Sequence, residues 1–168
     1  MMQQETTTVR KATKAELIII HQLALEIWPR AFEQILSNVQ MEYMLQMMYA
    51  PAVLEKEMER GVEFYILRHD GTDMGYTAIE QKEPGSWKLH KIYLSQKLHG
   101  KGIGKFQLKS MEDIVKGYGA KELWLNVNRQ NKAVDFYKSQ GYEVINTEDI
   151  DIGNGYFMND YQMRKKLQ

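Results

Sequence analysis

The chain has 168 residues, a length that fits one domain large enough to bury a hydrophobic core. Lys and Arg together number 22, as do Asp and Glu, and this zero net charge argues against a nucleic-acid partner or an anionic membrane surface. The sequence has no cysteine, no leader-like N-terminus and no apolar run near the ~20 residues that span a bilayer, so we expect a cytoplasmic protein without disulfides or membrane spans.

The first third of the chain is predicted to form one strand followed by helices. Weak alternation of apolar residues predicts the strand at residues 8–12. Thr13 and Glu16 form a capping box that opens the first helix, and we expect Pro29 to end it because proline removes a helical N–H donor. Two further helices are predicted to start at positions 37 and 51.

The remainder of the chain alternates strands with two helices. Asp70-Gly71 and Pro84-Gly85 are turn signals that separate three strands of a meander. Strands are predicted at 62–68, 74–81, 87–94, 122–127, 142–145 and 157–165, and helices at 105–116 and 132–139. This order indicates an α/β fold with a mixed, mostly antiparallel sheet of about seven strands flanked by helices, in a single domain covering residues 1–168.

A glycine-rich loop joins the third meander strand to the next helix, and its sequence is His99-Gly100-Lys101-Gly102-Ile103-Gly104-Lys105. Open backbone N–H groups beside a helix N-terminus make such a loop suited to phosphate or pyrophosphate. Its spacing fails the dinucleotide fingerprint, which needs glycine where Gln107 stands, and the Walker loop, which needs Ser or Thr where Phe106 stands. The loop alone leaves a plain connecting turn as the alternative.

A second motif lies downstream and consists of Asn131, Ala133, Tyr137, Gly141 and Tyr142. This stretch resembles the second signature of the GNAT superfamily of N-acetyltransferases. Gly102 and Gly104 then match the glycine loop of that superfamily, with His99 in the place usually held by Arg or Gln. Residues 156–163 and the Tyr- and Met-rich second helix are similar to small bacterial enzymes that include polyamine acetyltransferases.

The resemblance implies acetyl-CoA as the acetyl donor, a small-molecule amine as the acceptor and no metal ion. The cofactor would be held by the glycine loop, by the end of the strand before it and by the start of the last helix. These residues are Ile92, Tyr93, Leu94, His99, Gly100, Lys101, Gly102, Ile103, Gly104, Lys105, Asn131 and Tyr137. The pantetheine arm would pair with the backbone of Ile92 and Leu94 like an added strand, which requires two sheet strands to splay apart.

Tyr137 is the expected general acid, because a phenol matches a departing thiolate in proton affinity. The expected base is His90, predicted on the strand face that carries Ile92 and Leu94, or Glu80 on the neighbouring strand. Acceptor contacts are expected from Tyr43, Tyr49 and Glu80. A polyamine would also need acidic walls, for which the sequence offers Glu33, Glu42, Glu63, Glu80 and Asp160.

Two other functions fit the same sequence features. One is a catalytically silent acyl-CoA-binding or regulatory GNAT module, because Tyr137 does not prove turnover. The other is acetylation of a protein or peptide amine, because the sequence does not name the acceptor. The family resemblance also allows a homodimer.

Overall fold

The computed structural model describes residues 6–168, which form seven strands and five helices. The strands are β1 Thr7–Lys11, β2 Glu63–His69, β3 Thr72–Glu83, β4 Ser86–Leu94, β5 Glu122–Asn128, β6 Glu143–Gly153 and β7 Tyr156–Lys166. The helices are α1 Leu17–Ala31, α2 Asn38–Tyr49, α3 Pro51–Arg60, α4 Ile103–Gly117 and α5 Ala133–Ser139.

All seven strands join one sheet in the order β1-β2-β3-β4-β5-β7-β6. β4 and β5 pair in parallel, whereas the other neighbouring strands described pair antiparallel. The crossover between β4 and β5 runs through α4, as a parallel connection requires. The predicted fold class, a mixed and mostly antiparallel sheet flanked by helices, is confirmed.

The helices cover the two faces of this sheet. Apolar side chains of α1, α2 and α3 form one core with β2 and β3, in which Trp28, Tyr49 and Phe64 are almost fully buried. Side chains of α4 and α5 form a second core with β4, β5 and β7, which includes Met111 and Leu125. The sheet is therefore the shared middle layer, and a site that opens between its strands is walled by both helical layers.

β4 and β5 separate soon after they begin. Their parallel pairing covers four residue pairs and ends at Leu89 opposite Leu125. β4 continues along β3 to Leu94, and β5 continues along β7 to Asn128, so the two strands diverge beyond the last pair. This is the splay that the family resemblance implies, and beyond the last pair it leaves one edge of β4 without a strand partner.

A bulge at His90 reverses the faces of the second half of β4. Lys91 lies opposite Ala78 and Leu89 lies opposite Ile79, so His90 has no residue across from it. Beyond the bulge Ile92 packs in the α4 and α5 core, as Leu89 does. The prediction that His90 shares a face with Ile92 and Leu94 is wrong, because the extra residue shifts the alternation by one.

Three predicted element boundaries also differ. α1 continues through Pro29 to Ala31. Pro29 has no N–H to donate to the backbone carbonyl of Leu25, but Leu25 lies on the half-exposed side of the helix, so this carbonyl is not left unpaired in the core. α4 starts at Ile103, two residues before the predicted start at Lys105. The sixth strand extends to Gly153, eight residues beyond its predicted end at Ile145, because it pairs with β7 along a long hairpin.

Candidate active site

The glycine loop presents unpaired donors at the start of α4. The hydrogen bond from Phe106 N to Gly102 O is 3.2 Å long, so the N–H groups of Ile103, Gly104 and Lys105 precede the first bond of the helix. Gly102 caps the helix in the left-handed region at φ 76°, a conformation that favours glycine. A Cβ at Gly102 or Gly104 would meet no atom within 4 Å, so the space before these donors is open.

Gln107 fixes the loop to the sheet. This buried side chain on α4 donates from Nε2 to Tyr93 O at 3.0 Å and to Tyr76 O at 3.3 Å. A Cβ on Gly75 would lie 2.9 Å from Tyr93 O and 3.2 Å from Gln107 Nε2, so a glycine is needed for this close approach. The sequence gives no signal for this contact, because it joins residues from three separate elements.

The free edge of β4 faces the opening between the strands. Ser95 N donates to Met74 O on β3 at 2.8 Å, so by alternation the backbone of Tyr93 turns toward β3, and that of Ile92 and Leu94 turns away from it. Leu94 O also accepts from His99 Nε2 at 3.2 Å, which ties His99 to the end of this strand. The backbone of Ile92 and Leu94 could therefore pair with an extended chain on the side away from β3.

Tyr137 lies across the opening on α5. Its ring packs against Phe136 and Tyr142 with centroid distances of 5.6 and 5.8 Å, and the residue is only 7% exposed. Its hydroxyl makes no hydrogen bond to any residue between 6 and 168. Burial raises the pKa of Tyr137, so the phenol keeps its proton throughout the physiological range.

Asn131 sits at the turn that begins α5. Its Oδ1 accepts from Ala133 N at 2.9 Å, which is the capping role that competes with a cofactor role. The amide Nδ2 of Asn131 donates to no residue of the described chain. The oxygen of this side chain is thus engaged at the start of the helix, and the cofactor contact of Asn131 stays a prediction.

His90, Glu80 and Arg60 form a connected polar group on the sheet face that carries α1 to α3. His90 Nε2 lies 2.8 Å from Glu80 Oε1, and Arg60 Nε lies 3.1 Å from Glu80 Oε2. A carboxylate only accepts, so His90 carries a proton on Nε2 and keeps its lone pair on Nδ1. Both residues predicted as alternative bases are thus parts of one hydrogen-bonded pair.

The protonation states of this pair follow from burial and charge. Burial alone would raise the pKa of Glu80, but the hydrogen bonds from Arg60 and His90 outweigh it and lower the pKa to about 2. Burial and the nearby Lys88 lower the pKa of His90 to about 4, although Glu80 acts in the other direction. At neutral pH Glu80 is ionised and His90 is neutral.

Asp160 is a buried carboxylate beside the diverging end of β5. It is 4% exposed, and its one side-chain hydrogen bond within the described residues comes from Asn126 Nδ2 at 3.3 Å. No Lys or Arg lies within ion-pair distance of it in that part of the chain. Burial raises the pKa of Asp160, although the hydrogen bond from Asn126 and the charges of Lys88 and Arg129 act in the other direction. The carboxylate also interacts electrostatically with Tyr93 and Lys88.

The two tyrosines expected to contact the acceptor are engaged in packing. Tyr43 donates to Ile152 O at 2.6 Å, which joins α2 to the β6–β7 hairpin. Tyr49 has no exposed surface, and its hydroxyl accepts from Tyr76 at 2.8 Å. A direct contact between Tyr49 and an acceptor would require the surrounding core to move, and its role stays a prediction.

Residues 6–168 contain no cluster of three His, Asp or Glu side chains that could hold a metal ion. No helix in the same range is long and apolar enough to cross a membrane.

Comparison with known proteins identifies the family. Residues 32–165 match the model of the acetyltransferase (GNAT) domain. The chain belongs to the GNAT acetyltransferase family. It is therefore an acetyl-CoA-dependent N-acetyltransferase, and the resemblance seen in the sequence is confirmed.

Among relatives of this GNAT enzyme, the spermidine N(1)-acetyltransferase of Thermoplasma acidophilum is 29% identical over 150 residues, which cover 85% of this chain and 92% of the relative. An uncharacterized N-acetyltransferase from Lactobacillus delbrueckii subsp. lactis is 27% identical over 115 residues, covering 64% of this chain and 66% of the relative.

Solved structures show the same fold. The crystal structure of PaiA N-acetyltransferase from Thermoplasma acidophilum, in complex with coenzyme A, superposes with a TM-score of 0.81 at 27% identity and covers 96% of this chain and 99% of its own. The fold of yncA from Salmonella typhimurium, solved with acetyl-CoA, superposes with a TM-score of 0.66 at 19% identity, covering 97% of this chain and 95% of its own.

The open donors of the α4 N-terminus and the free edge of β4 fit the pyrophosphate and pantetheine of acetyl-CoA. Arg60 and Gln107 of this GNAT enzyme are not predicted from the sequence, where Asp160 is only one of five candidate acidic residues. Arg60 is the last residue of α3, and the next residue, Gly61 at φ 115°, is a left-handed cap that turns the chain toward β2. The cap is readable from the sequence, but the contact of Arg60 with Glu80 is not.

Proposed function

We propose that this GNAT enzyme acetylates a primary amine of a polyamine-like small molecule. The observation that carries the proposal is Asp160, a buried carboxylate at the strand opening that has no Lys or Arg within ion-pair distance among the described residues. An unpaired buried carboxylate is costly unless a cation meets it, and an ammonium group of the acceptor would do so. The 29% identity to a spermidine N(1)-acetyltransferase supports the same acceptor class.

A second carboxylate lies near Asp160 on the same side of the sheet. Glu148 on β6 is opposite Asp160 in the β6–β7 pairing and raises its pKa. Lys88 interacts with both carboxylates and carries its ammonium 4.8 Å over the ring of Trp124. A polyamine carries several ammonium groups, so it would meet more than one carboxylate here, whereas a simple amine would meet one.

Acetyl-CoA would supply the thioester, with its pyrophosphate against the N–H groups of Ile103, Gly104 and Lys105. The surrounding contacts are expected from the other predicted loop residues, His99, Gly100, Lys101 and Gly102, and from Asn131 Nδ2. The thioester would then lie between β4 and β5, close to Tyr137 and at the position of His90 along β4. The contacts to the pyrophosphate from Ile103, Gly104 and Lys105 would come from backbone N–H groups.

The base acts first in the proposed reaction. His90 Nδ1 takes the proton of the acceptor ammonium, directly or through a water molecule, and leaves a neutral amine with its lone pair free. The amine nitrogen then forms a bond to the thioester carbonyl carbon. Glu80 stays ionised throughout, because Arg60 and His90 both donate to it.

Tyr137 completes the transfer as the general acid. The carbon–sulfur bond breaks, and the departing thiolate of CoA takes the proton of the Tyr137 hydroxyl. The amide nitrogen gives up its second proton to solvent, which also returns a proton to Tyr137 and removes one from His90. Because burial keeps Tyr137 protonated, the acid is available at each turnover.

A panel of amines incubated with acetyl-CoA tests the proposal, with release of free CoA as the measurement. The panel includes spermidine, spermine, amino acids, aminoglycosides and a peptide with a free N-terminus, and the Tyr137→Phe variant serves as the inactive control. We expect polyamines to give the highest kcat/KM. Preference for the peptide would favour acetylation of a protein amine, and binding of CoA without turnover on any amine would favour a silent module; either result refutes the proposal.

A cytoplasmic location and a homodimer stay predictions.

A further inference from the structure

Arg60 and His90 both donate hydrogen bonds to the carboxylate of Glu80. Glu80 is 9% exposed at its side chain, and both of its oxygens accept hydrogen bonds. Arg60 donates from Nε to Oε2 at 3.1 Å and from Nη2 to Oε1 at 3.3 Å. His90 Nε2 donates to the same Oε1 at 2.8 Å.

The position of these residues in the fold explains why they meet. Glu80 stands near the end of β3, and His90 is the unpaired residue of the β4 bulge beside it. Arg60 is the last residue of α3, where Gly61 at φ 115° ends the helix. The bulge is needed because, in a regular strand, the side chains in the second half of β4 would point to the opposite faces of the sheet. The cap at Gly61 is needed to bring the guanidinium of Arg60 over the sheet.

We propose that Arg60 is a positioning residue for acetyl transfer: by clamping the Glu80 carboxylate, it orients the His90 ring so that Nδ1 faces the acceptor amine. The inference rests on the proposed function in that His90 accepts the acceptor's proton. It goes beyond that function in two ways. Glu80 becomes an ionised carboxylate that holds the His90 ring, and Arg60 is added as a residue that touches neither substrate.

The clamp also sets the charge that His90 feels. Charged groups surround His90 on three elements. They are Glu80 and Lys82 on β3, Lys88 and Lys91 on β4, and Glu57 and Arg60 on α3, with Asp160 on β7 beyond Lys88. Arg60 neutralises part of the Glu80 charge, so its removal leaves a stronger anion beside His90 and favours the imidazolium. Removal of the Glu80 charge has the opposite effect, because the other charges that act directly on His90 are the cations Lys88 and Lys91.

The test follows the titration of the His90 ring by NMR in the free full-length protein, with the signal assigned by its loss in His90→Gln. Arg60→Gln should raise the pKa of His90 by about half to one unit, and Glu80→Gln should lower it by a similar amount. Arg60→Lys should stay close to the wild-type value. Arg68→Gln is the matched control, because Arg68 is similarly exposed and donates from Nε to Asp73 at 3.0 Å away from this site.

Steady-state kinetics on spermidine complete the test. We expect Arg60→Gln to lower kcat about three- to tenfold with no change in the KM for acetyl-CoA, and Arg68→Gln to change neither. Identical His90 titrations in Arg60→Gln, Glu80→Gln and the wild type would overturn the inference, as would an Arg60→Gln enzyme with wild-type kcat. If no polyamine is acetylated, the proposed acceptor is wrong, but the titrations still decide whether Arg60 controls His90.

Discussion

Replacement of Tyr137 by phenylalanine removes one hydroxyl and leaves the ring in place. The ring contacts with Phe136 and Tyr142 remain, and the hydroxyl makes no hydrogen bond to the described residues, so the free energy of unfolding should change by less than about 0.5 kcal/mol. Loss of a general acid typically lowers the rate about 10²- to 10⁴-fold. This corresponds to about 3–5 kcal/mol of transition-state stabilisation, far more than the change in stability.

The assay is CoA release from acetyl-CoA and spermidine, with thermal unfolding in the presence and absence of CoA. Tyr142→Phe provides the contrast, because Tyr142 donates to the buried Glu112 Oε2 at 2.8 Å and lies outside the opening. It should lose about 1–3 kcal/mol of stability and keep its kcat. A Tyr137→Phe enzyme with wild-type kcat would refute the role of the hydroxyl, and one that no longer binds CoA would show that its role is in binding instead.

Three further predictions concern acid stability, the glycine loop and the acceptor site. Folding lowers the pKa of His90 from its ordinary value near 6.5 to about 4 and that of Glu80 to about 2, so the melting temperature should fall as the pH drops from about 6.5. His90→Gln should flatten this fall between about pH 6.5 and 4.5, and an equally steep fall would contradict the assignment. Gly102→Ala should lower the free energy of unfolding by about 1–2 kcal/mol, because Gly102 has a φ of 76°. Gly104→Ala should keep the melting temperature and raise the KM for acetyl-CoA. Equal losses of melting temperature in the two variants would contradict the geometry. Asp160→Asn should raise the KM for spermidine at least about tenfold, or 1.4 kcal/mol, with the KM for acetyl-CoA as its internal control, and an unchanged spermidine KM would remove Asp160 from the acceptor site.

The sequence predicted the sheet and the order of its elements, because these depend on local alternation and on turn residues. The splay of two strands was implied only by the family resemblance. The glycine loop was readable for the same reason, since its function lies in backbone groups that follow directly from Gly102 and the start of α4. A resemblance to one family then gave the ligand. These features need only short stretches of contiguous sequence.

The relations among side chains from distant elements were not readable. The bulge at His90 depends on pairing between β3 and β4, and nothing in the sequence from Lys88 to Leu94 marks an extra residue. The continuation of α1 past Pro29 depends on the tertiary burial of Trp28 and Phe32, which outweighs one missing hydrogen bond. The clamp of Arg60 on Glu80 joins residues 20 positions apart and follows from the same tertiary packing.

The preference for a polycationic acceptor is tested most directly by comparing spermidine with butylamine, which has a similar primary amine and a single charge. The measurement is the ratio of the two kcat/KM values in the wild-type enzyme at low and at high salt. We predict that the ratio favours spermidine at least about a hundredfold at low salt and that added salt reduces it. A hundredfold ratio corresponds to about 2.7 kcal/mol, which two ammonium–carboxylate contacts can supply. Equal values for the two amines, or turnover of neither, would contradict the proposed acceptor site.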